Sequence, residues 1–154
     1  MTIDRIIKKF KENHPGVDTS VLHRAYEYAK DAHEGQMRKT GEPYINHPLH
    51  TAYLLTEIKA DLSTVLAGLL HDVPEDTYRT LEDVEKEFGE DVANLVKGIT
   101  KLGKIKYRGI ERYKENLKKM FLAMTNDLRV IFIKFCDRLN NLRTIELSRS
   151  KKVN

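Results

Sequence analysis

The sequence predicts an all-α fold in one domain. Apolar side chains recur three or four residues apart along most of the 154 residues, which is the spacing of a buried helix face. Strand signals are few: residues 130–135 favour β structure by composition, but they lie within a longer helical pattern. The chain has no repeat, low-complexity segment or internal linker. A chain of this length can bury a core unaided, so we expect a single domain spanning residues 1–154.

Eight helices are predicted, each bounded by residues that cap or break a helix. In chain order they cover residues 3–10, 20–35, 48–58, 61–70, 80–88, 90–102, 110–124 and 128–143. The fourth is apolar on most faces, which indicates a central position in the bundle. Thr80 and Asp83 have the spacing of a capping box. Pro48 suits the first position of the third helix, which places His47 at its cap.

Three segments are expected to lie outside these helices. Residues 36–46 are predicted as a loop, because Gly41 and Pro43 interrupt any helical period. Residues 103–109 are predicted as a basic loop. Residues 146–154 are polar and show no pattern for a closing helix, so we expect the chain to be truncated at its C-terminus relative to a longer protein.

The distribution of basic residues narrows the kinds of ligand to consider. Lys and Arg number 27 against 23 Asp and Glu, and the excess is concentrated in one stretch. It comprises Lys101, Lys104, Lys106, Arg108, Arg112, Lys114, Lys118 and Lys119. Such a run is typical of a solvated helix face, and it also suits a phosphorylated ligand or nucleic acid. No aromatic-rich recognition motif accompanies it, so nucleic-acid binding ranks last among the functions considered.

The sequence also indicates a compartment. No apolar run approaches the roughly 18 residues of a membrane span, and the N-terminus lacks the apolar stretch of a signal peptide. The single cysteine, Cys136, cannot form an internal disulfide, fits a reducing environment and is expected in the core. We therefore expect a cytoplasmic protein with no membrane partner, and the sequence predicts no oligomeric state.

An imidazole and a carboxylate meet at the end of the apolar fourth helix, where His71 and Asp72 follow residues 66–70. His47 and Asp137 are further candidate ligands from distant segments. Two imidazoles and two carboxylates suit Mn²⁺, Fe²⁺ or Zn²⁺, and the two carboxylates would neutralise the charge of the ion. Such an ion lowers the pKa of bound water and polarises a phosphoryl oxygen, which is a route to phosphoester hydrolysis.

Other side chains near this pattern have two interpretations. Glu75 and Asp76 follow within a turn and are placed to orient or deprotonate a water, although Pro74 favours a turn there. Asp137 follows an apolar run and should be buried, which requires a partner. That partner is either a metal or a cation such as Arg138 or Arg143, and the spacing does not decide between them.

Three segments carry a family resemblance: RKTGEPYINHP at residues 38–48, HDVPEDT at 71–77 and DRLNNLRT at 137–144. They resemble RKSGEPYxxHP, HDVVEDT and DRLHNMRT of the RelA/SpoT-type hydrolase domain, one of the HD-domain metal-dependent phosphohydrolases. The resemblance covers about residues 25–144 and implies an HD-domain helical bundle. Pro74 departs from a usual valine, and Cys136 and Asn140 depart from a usual alanine and histidine.

The resemblance implies an activity and a set of roles. The activity is removal of the 3′-diphosphate from guanosine tetra- and pentaphosphate, the alarmones of the stringent response, to give GDP or GTP and pyrophosphate with Mn²⁺. His47, His71, Asp72 and Asp137 would hold the metal, and Glu75 and Asp76 would activate water. Arg38 would stack on guanine, Lys39 and Thr40 would line the base pocket, and Asn141 and Thr144 would hold the ribose or phosphates.

Two alternatives remain open from the sequence. One is an HD phosphohydrolase for another nucleotide, and the other is a nucleotide-sensing module without catalysis. The second would be favoured if the expected truncation at the C-terminus spoils the site, whereas the intact set of candidate ligands and the Glu75-Asp76 pair favour an enzyme.

Overall fold

A computed structural model describes residues 1–103, 114–115, 117–119, 121–122 and 126–150, without the side chains of 146–150. The helices in these ranges are α1 (Ile3–Asn13), α2 (Ser20–Ala32), α3 (Asn46–Glu57), α4 (Leu62–Leu70), α5 (Val73–Asp76), α6 (Leu81–Phe88), α7 (Glu90–Gly103) and α8 (Leu128–Ser150). Within the described ranges the fold is all-α, as predicted; outside the helices they contain a single isolated antiparallel bridge, between Met37 and Pro43.

Helix α4 forms the centre of the core, as its composition predicts. Every residue from Thr64 to Leu70 is buried, and α2, α3, α7 and α8 pack around it. Asp61 caps its N-terminus by accepting a hydrogen bond from the Thr64 amide. A Cβ added to Gly68 would lie 2.6 Å from Leu55 Cδ1 and 3.5 Å from Ala52 Cα. Glycine therefore lets α3 and α4 approach closely, which brings the start of α3 beside the end of α4.

The guanidinium of Arg129 links the start of α8 to the starts of α4 and α7. The guanidinium of Arg129 donates to Asp127, to Asp91 at the start of α7 and to Asp61 at the start of α4. On the other side, Val130 and Ile133 are buried in the core cluster. These contacts fix the position of α8, and with it the residues one to four turns further along.

The structure corrects several expected boundaries. Helix α3 begins at Asn46 with Ile45 as its cap, so His47 lies in the first turn rather than at the cap. The expected end of the last helix near residue 143 is wrong, because α8 continues to Ser150 and includes residues 146–150. The capping box at Thr80 and the helix end at Gly89 are confirmed. The basic loop at 103–109 lies outside the described residues apart from Gly103, which ends α7, and most of the helix expected at 110–124 also lies outside them.

Among the described helices, none combines the length and hydropathy needed to cross a bilayer. Cys136 is buried, as expected of a core residue, and burial raises the pKa of its thiol to about 11.

Candidate metal centre

Helix α4 ends directly after its apolar run. His71 and Asp72 form a turn, and a new one-turn helix, α5, begins at Val73 with Pro74 as its second residue. Proline is tolerated there because the first helical amides need no partner within the helix. The break turns both side chains toward α3 and α8, and His71 is 2% exposed.

Four side chains from three distant segments meet at this break. His47 Nε2 lies 3.1 Å from Asp137 Oδ1 and 3.5 Å from Asp72 Oδ2. His71 Nε2 lies 3.2 Å from Asp72 Oδ2 and 3.9 Å from Asp137 Oδ1. Atoms bonded to one ion at about 2.1 Å stand roughly 3.0–3.4 Å apart, so these spacings match a shared cation after small adjustments.

The hydrogen bonding of the His71 ring indicates which kind of group fits between its Nε2 and the Asp72 carboxylate. Its Nδ1 lies 2.7 Å from the Gly68 carbonyl, and a carbonyl can only accept, so Nδ1 carries a hydrogen. The neutral ring then has its lone pair on Nε2, which is buried and has no hydrogen-bond partner. A lone pair facing the Asp72 oxygen is unfavourable unless a cation separates them. The donor set of two imidazoles and two carboxylates therefore fits a divalent metal ion.

The electrostatics of the protein without metal agree with this interpretation. Burial would lower the pKa of His71, but Asp72 and Asp137 raise it to about 9. Burial would raise the pKa of Asp72, and the imidazoles of His71 and His47 instead hold it well below its ordinary value. The pKa of Asp137 is lowered in the same way, because His47, His71 and Lys134 outweigh its burial. A proton on His71 thus fills part of the role that a metal would fill.

Neighbouring side chains orient these groups. Lys134 donates to Asp137 Oδ2 at 2.8 Å, which leaves Oδ1 facing the imidazoles. The cation beside Asp137 is therefore Lys134, whereas the two considered from sequence, Arg138 and Arg143, are exposed side chains. The Asn140 side-chain amide lies 2.7 Å from His47 Nδ1 and fixes the plane of that ring; with its Oδ1 toward the ring, it accepts from Nδ1–H and leaves the Nε2 lone pair for an ion.

Tyr44 links the cluster to the acidic residues of α5. Its hydroxyl lies 2.8 Å from Asp72 Oδ2 and 3.0 Å from Asp76 Oδ2, and it donates to both carboxylates. The ring stacks on His33 with centroids 4.7 Å apart. The Gln36 side chain also donates to the Asp76 carbonyl at 2.7 Å. Burial and the two carboxylates raise the pKa of Tyr44, so its hydroxyl keeps the proton that it shares with them.

The residues expected to bind substrate separate into two groups. Arg38 Nη2 donates to Asn141 Oδ1 at 2.6 Å, and Arg38 Nη1 lies 3.4 Å from Thr144 Oγ1, so these three meet beside the cluster. Lys39 and Thr40 are exposed in the loop after Arg38, where Gly41 turns the chain with a φ of 82°. This tight turn explains how a loop residue, Arg38, returns to contact α8.

The two candidate water-activating residues also differ. Both are exposed side chains of the one-turn helix α5, and it is Asp76 that accepts a hydrogen bond from the Tyr44 hydroxyl.

Sequence reasoning assigned no role to Tyr44, Lys134 or Asn140. A usable signal existed for Lys134, which stands three residues before Asp137 in α8, a spacing that puts two side chains on one helix face. Tyr44 lies in the loop before α3, where no such spacing applies. Asn140 reaches a ring 93 residues away, which no local spacing indicates.

Comparison with known proteins agrees with this geometry. The profile of the HD domain family matches residues 25–154. The chain is 52% identical over 132 residues to the bifunctional (p)ppGpp synthase/hydrolase SpoT of Escherichia coli, which covers 85% of this chain and 19% of that protein. It is 45% identical over 152 residues to the guanosine-3′,5′-bis(diphosphate) 3′-pyrophosphohydrolase of Aquifex aeolicus, covering 99% of this chain and 21% of that protein. The chain thus spans about a fifth of the length of these relatives.

A solved structure gives the same result for the fold. A metazoan ortholog of SpoT, described as hydrolysing ppGpp, superposes with a TM-score of 0.67 at 30% identity and covers 85% of this chain and 73% of its own. The chain belongs to the HD domain family. Within that family, its resemblance to the RelA/SpoT-type hydrolase domains is confirmed. Family and donor set together indicate a divalent metal, in a cluster to which His47, His71 and Asp137 contribute atoms within 4.8 Å of one another.

Proposed function

We propose that the chain hydrolyses the 3′-diphosphate of guanosine tetra- and pentaphosphate, giving GDP or GTP and pyrophosphate, in the cytoplasm and as part of the stringent response. The observation that carries the proposal is the convergence of His47, His71, Asp72 and Asp137 at one point. The names of the Escherichia coli and Aquifex aeolicus relatives and of the metazoan structure support the choice of substrate.

These four side chains would hold one divalent ion, for which we propose Mn²⁺, with Fe²⁺ or Zn²⁺ as the other ions that suit the donors. When bound, the ion would supply positive charge to the reacting phosphoryl group and acidify a water. Asp72 and Asp137 offset its charge, and the Gly68 carbonyl keeps the lone pair of His71 on Nε2.

The reaction transfers a diphosphoryl group from O3′ to water. The water oxygen bonds to the phosphorus attached to O3′, the bond between that phosphorus and O3′ breaks, and O3′ takes up a proton as pyrophosphate leaves. Asp76 and Glu75 are the proposed acceptors of the water's proton. Tyr44 holds the Asp76 carboxylate beside the cluster through its 3.0 Å hydrogen bond, so the acceptor lies next to the reacting group.

The nucleotide would lie against α8. The planar guanidinium of Arg38 is held in place by Asn141 and Thr144, and a guanidinium plane stacks well on a purine. Lys39 and Thr40 lie beside it on the exposed loop and would contact the base, while Asn141 and Thr144 would contact the ribose or phosphates.

The test is product formation with matched variants. Protein loaded with Mn²⁺ should convert guanosine tetraphosphate to GDP and pyrophosphate, and Asp72→Ala should lose at least about 10²-fold of the rate because the ion would lose a ligand. Glu27→Gln is the control, since Glu27 lies in an exposed pair with Lys30 on α2. Metal analysis of protein purified without chelator identifies the ion.

Each other result selects a different function. Tight binding of guanosine tetraphosphate without turnover would indicate a sensing module. Release of phosphate or pyrophosphate from other nucleotides alone would indicate an HD phosphohydrolase of different specificity. Equal rates for Asp72→Ala and the unchanged protein would contradict the proposed site.

A further inference from the structure

The side-chain amide of Asn141 has only one orientation that satisfies its neighbours. Its Oδ1 accepts from Arg38 Nη2 at 2.6 Å, and its Nδ2 donates to Asp137 Oδ1 at 3.0 Å. A guanidinium can only donate and an ionised carboxylate can only accept, so the amide cannot turn over without losing both bonds. Asn141 thus joins a residue of the proposed nucleotide pocket to a residue of the metal cluster.

The oxygen that Asn141 contacts is the one that faces the cluster. Asp137 Oδ1 lies 3.1 Å from His47 Nε2, while Oδ2 is taken by Lys134. Asp137 is 5% exposed, so displacement of its carboxylate is restricted by the packed core. Two charge-assisted hydrogen bonds therefore connect the Arg38 guanidinium to the atom that would bind the metal.

We propose that Asn141 is a positioning residue that couples metal binding to nucleotide binding. This inference rests on the proposed function, since it takes the cluster as the metal site and Arg38 as a nucleotide contact. A bound ion fixes Asp137, and Asp137 fixes Asn141, which holds the guanidinium in the plane that receives the base. Whichever ligand binds first orders the Arg38 side chain. The second ligand then loses less conformational entropy on binding and binds more tightly.

The coupling is reciprocal, so it can be measured from the metal side. We expect saturating guanosine 5′-monophosphate to lower the Kd of Mn²⁺ about fivefold or more, measured as free Mn²⁺ by electron paramagnetic resonance. The mononucleotide is not a substrate of the proposed reaction, so both ligands persist during the titration. Correction for Mn²⁺ bound by free nucleotide comes from a protein-free titration.

The decisive comparison is between two variants. Asn141→Ala removes both bonds and should bring the ratio of Mn²⁺ dissociation constants, without and with nucleotide, to within about twofold of one. Thr144→Val is the matched control: the hydroxyl of Thr144 lies 3.4 Å from Arg38 and donates to the Asn140 carbonyl, so its removal weakens the hold on Arg38 while the bonds of Asn141 remain. This variant should keep most of the wild-type ratio. Because the readout is a ratio, a loss of nucleotide affinity alone does not change it.

The outcomes separate this inference from the proposed function. Binding of both ligands to the wild-type protein without coupling would overturn the inference. So would a wild-type ratio of dissociation constants in Asn141→Ala, or a ratio that falls as far in Thr144→Val as in Asn141→Ala. Failure of the wild-type protein to bind Mn²⁺ would overturn the proposed function together with the inference, whereas failure to bind the mononucleotide at saturating Mn²⁺ would overturn the inference alone. Circular dichroism checks folding, and Asn141→Ser, too short to reach either partner, replaces the alanine variant if that variant does not fold.

Discussion

The hydroxyl of Tyr44 lies 2.8 Å from the Asp72 oxygen that faces the two imidazoles of the cluster. The same hydroxyl reaches Asp76 at 3.0 Å, so one proton is shared between a proposed metal ligand and a proposed water-activating carboxylate. Two carboxylates this close repel each other unless a donor lies between them. Tyr44 therefore sets both the charge and the spacing of this part of the site.

Replacing Tyr44 with phenylalanine should separate positioning from folding. The ring still packs on His33, but Asp72 and Asp76 lose their common donor and move apart. We expect hydrolysis and Mn²⁺ affinity each to fall about 10- to 100-fold, the usual effect of removing a partner that orients a metal ligand. The measurements are steady-state kinetics and a Mn²⁺ titration.

Tyr28→Phe is the control for that substitution. Tyr28 packs edge-on against Phe88 with centroids 5.2 Å apart and contacts neither acidic residue of the site in the described structure. Its removal should leave Mn²⁺ affinity within about twofold of the starting protein. Wild-type Mn²⁺ affinity in Tyr44→Phe would show that the shared proton has no part in shaping the site.

Stability of the metal-free protein should depend on pH through His71. Its pKa rises from 6.5 to about 9 on folding, so the folded state binds this proton more tightly than the unfolded state. The stabilisation is complete below about pH 6.5 and is lost as pH rises through about 9, so the free energy of unfolding should fall across that range. Urea denaturation of chelator-treated protein at several pH values measures it.

Two comparisons check the origin of this pH dependence. A His71→Asn protein should lose the fall in stability between pH 6.5 and 9, because it has no proton to release there. Mn²⁺ affinity of the unchanged protein should rise over the same range, since the ion displaces the proton. A fall of the same size in His71→Asn would assign the effect to other groups.

The grouping of the four candidate ligands rested on the resemblance of three sequence segments to one family, because spacing alone left the partner of Asp137 undecided. The apolar run before Asp137 predicted that this residue is buried, and the structure confirms it; His71, at the end of the apolar α4, is buried as well. The helix order and the capping box at Thr80 were predicted by local patterns, which depend on a few neighbouring residues. Helix ends were less accurate: α8 continues past residue 143 although its final residues are polar.

The contacts that shape the site were not predictable in the same way. Asn140 and His47 are 93 residues apart, and Arg38 and Asn141 are 103 residues apart, so these pairs exist only because α3, its preceding loop and α8 pack together. The close approach of α3 and α4 depends on the missing side chain of Gly68, which a pattern of apolar residues does not reveal. Tertiary packing, not local preference, decides such contacts.

The Arg129 cluster should stabilise the fold measurably. The Arg129 side chain is 31% exposed and its guanidinium contacts three carboxylates, including Asp91 at 2.7 Å, so Arg129→Ala leaves three acidic groups close together. We expect a loss of about 1–2 kcal/mol in the free energy of unfolding at low salt and a smaller loss in 1 M salt, where the charges are screened. Urea denaturation at both salt concentrations measures it.

Lys30→Ala serves as the control, because Lys30 and Glu27 form an exposed pair 3.8 Å apart. Its removal should change stability by less than about 0.5 kcal/mol. An Arg129→Ala loss that is independent of salt would point to packing rather than charge.

The most direct measurement is the anomalous diffraction of Mn²⁺ in crystals of this protein. One peak should lie about 2.0–2.3 Å from His47 Nε2, His71 Nε2, Asp72 Oδ2 and Asp137 Oδ1, with the carboxylates of Glu75 and Asp76 outside that shell. A peak at another position, or the absence of any peak at saturating Mn²⁺ with the four side chains in place, would contradict the claim that these residues hold one cation.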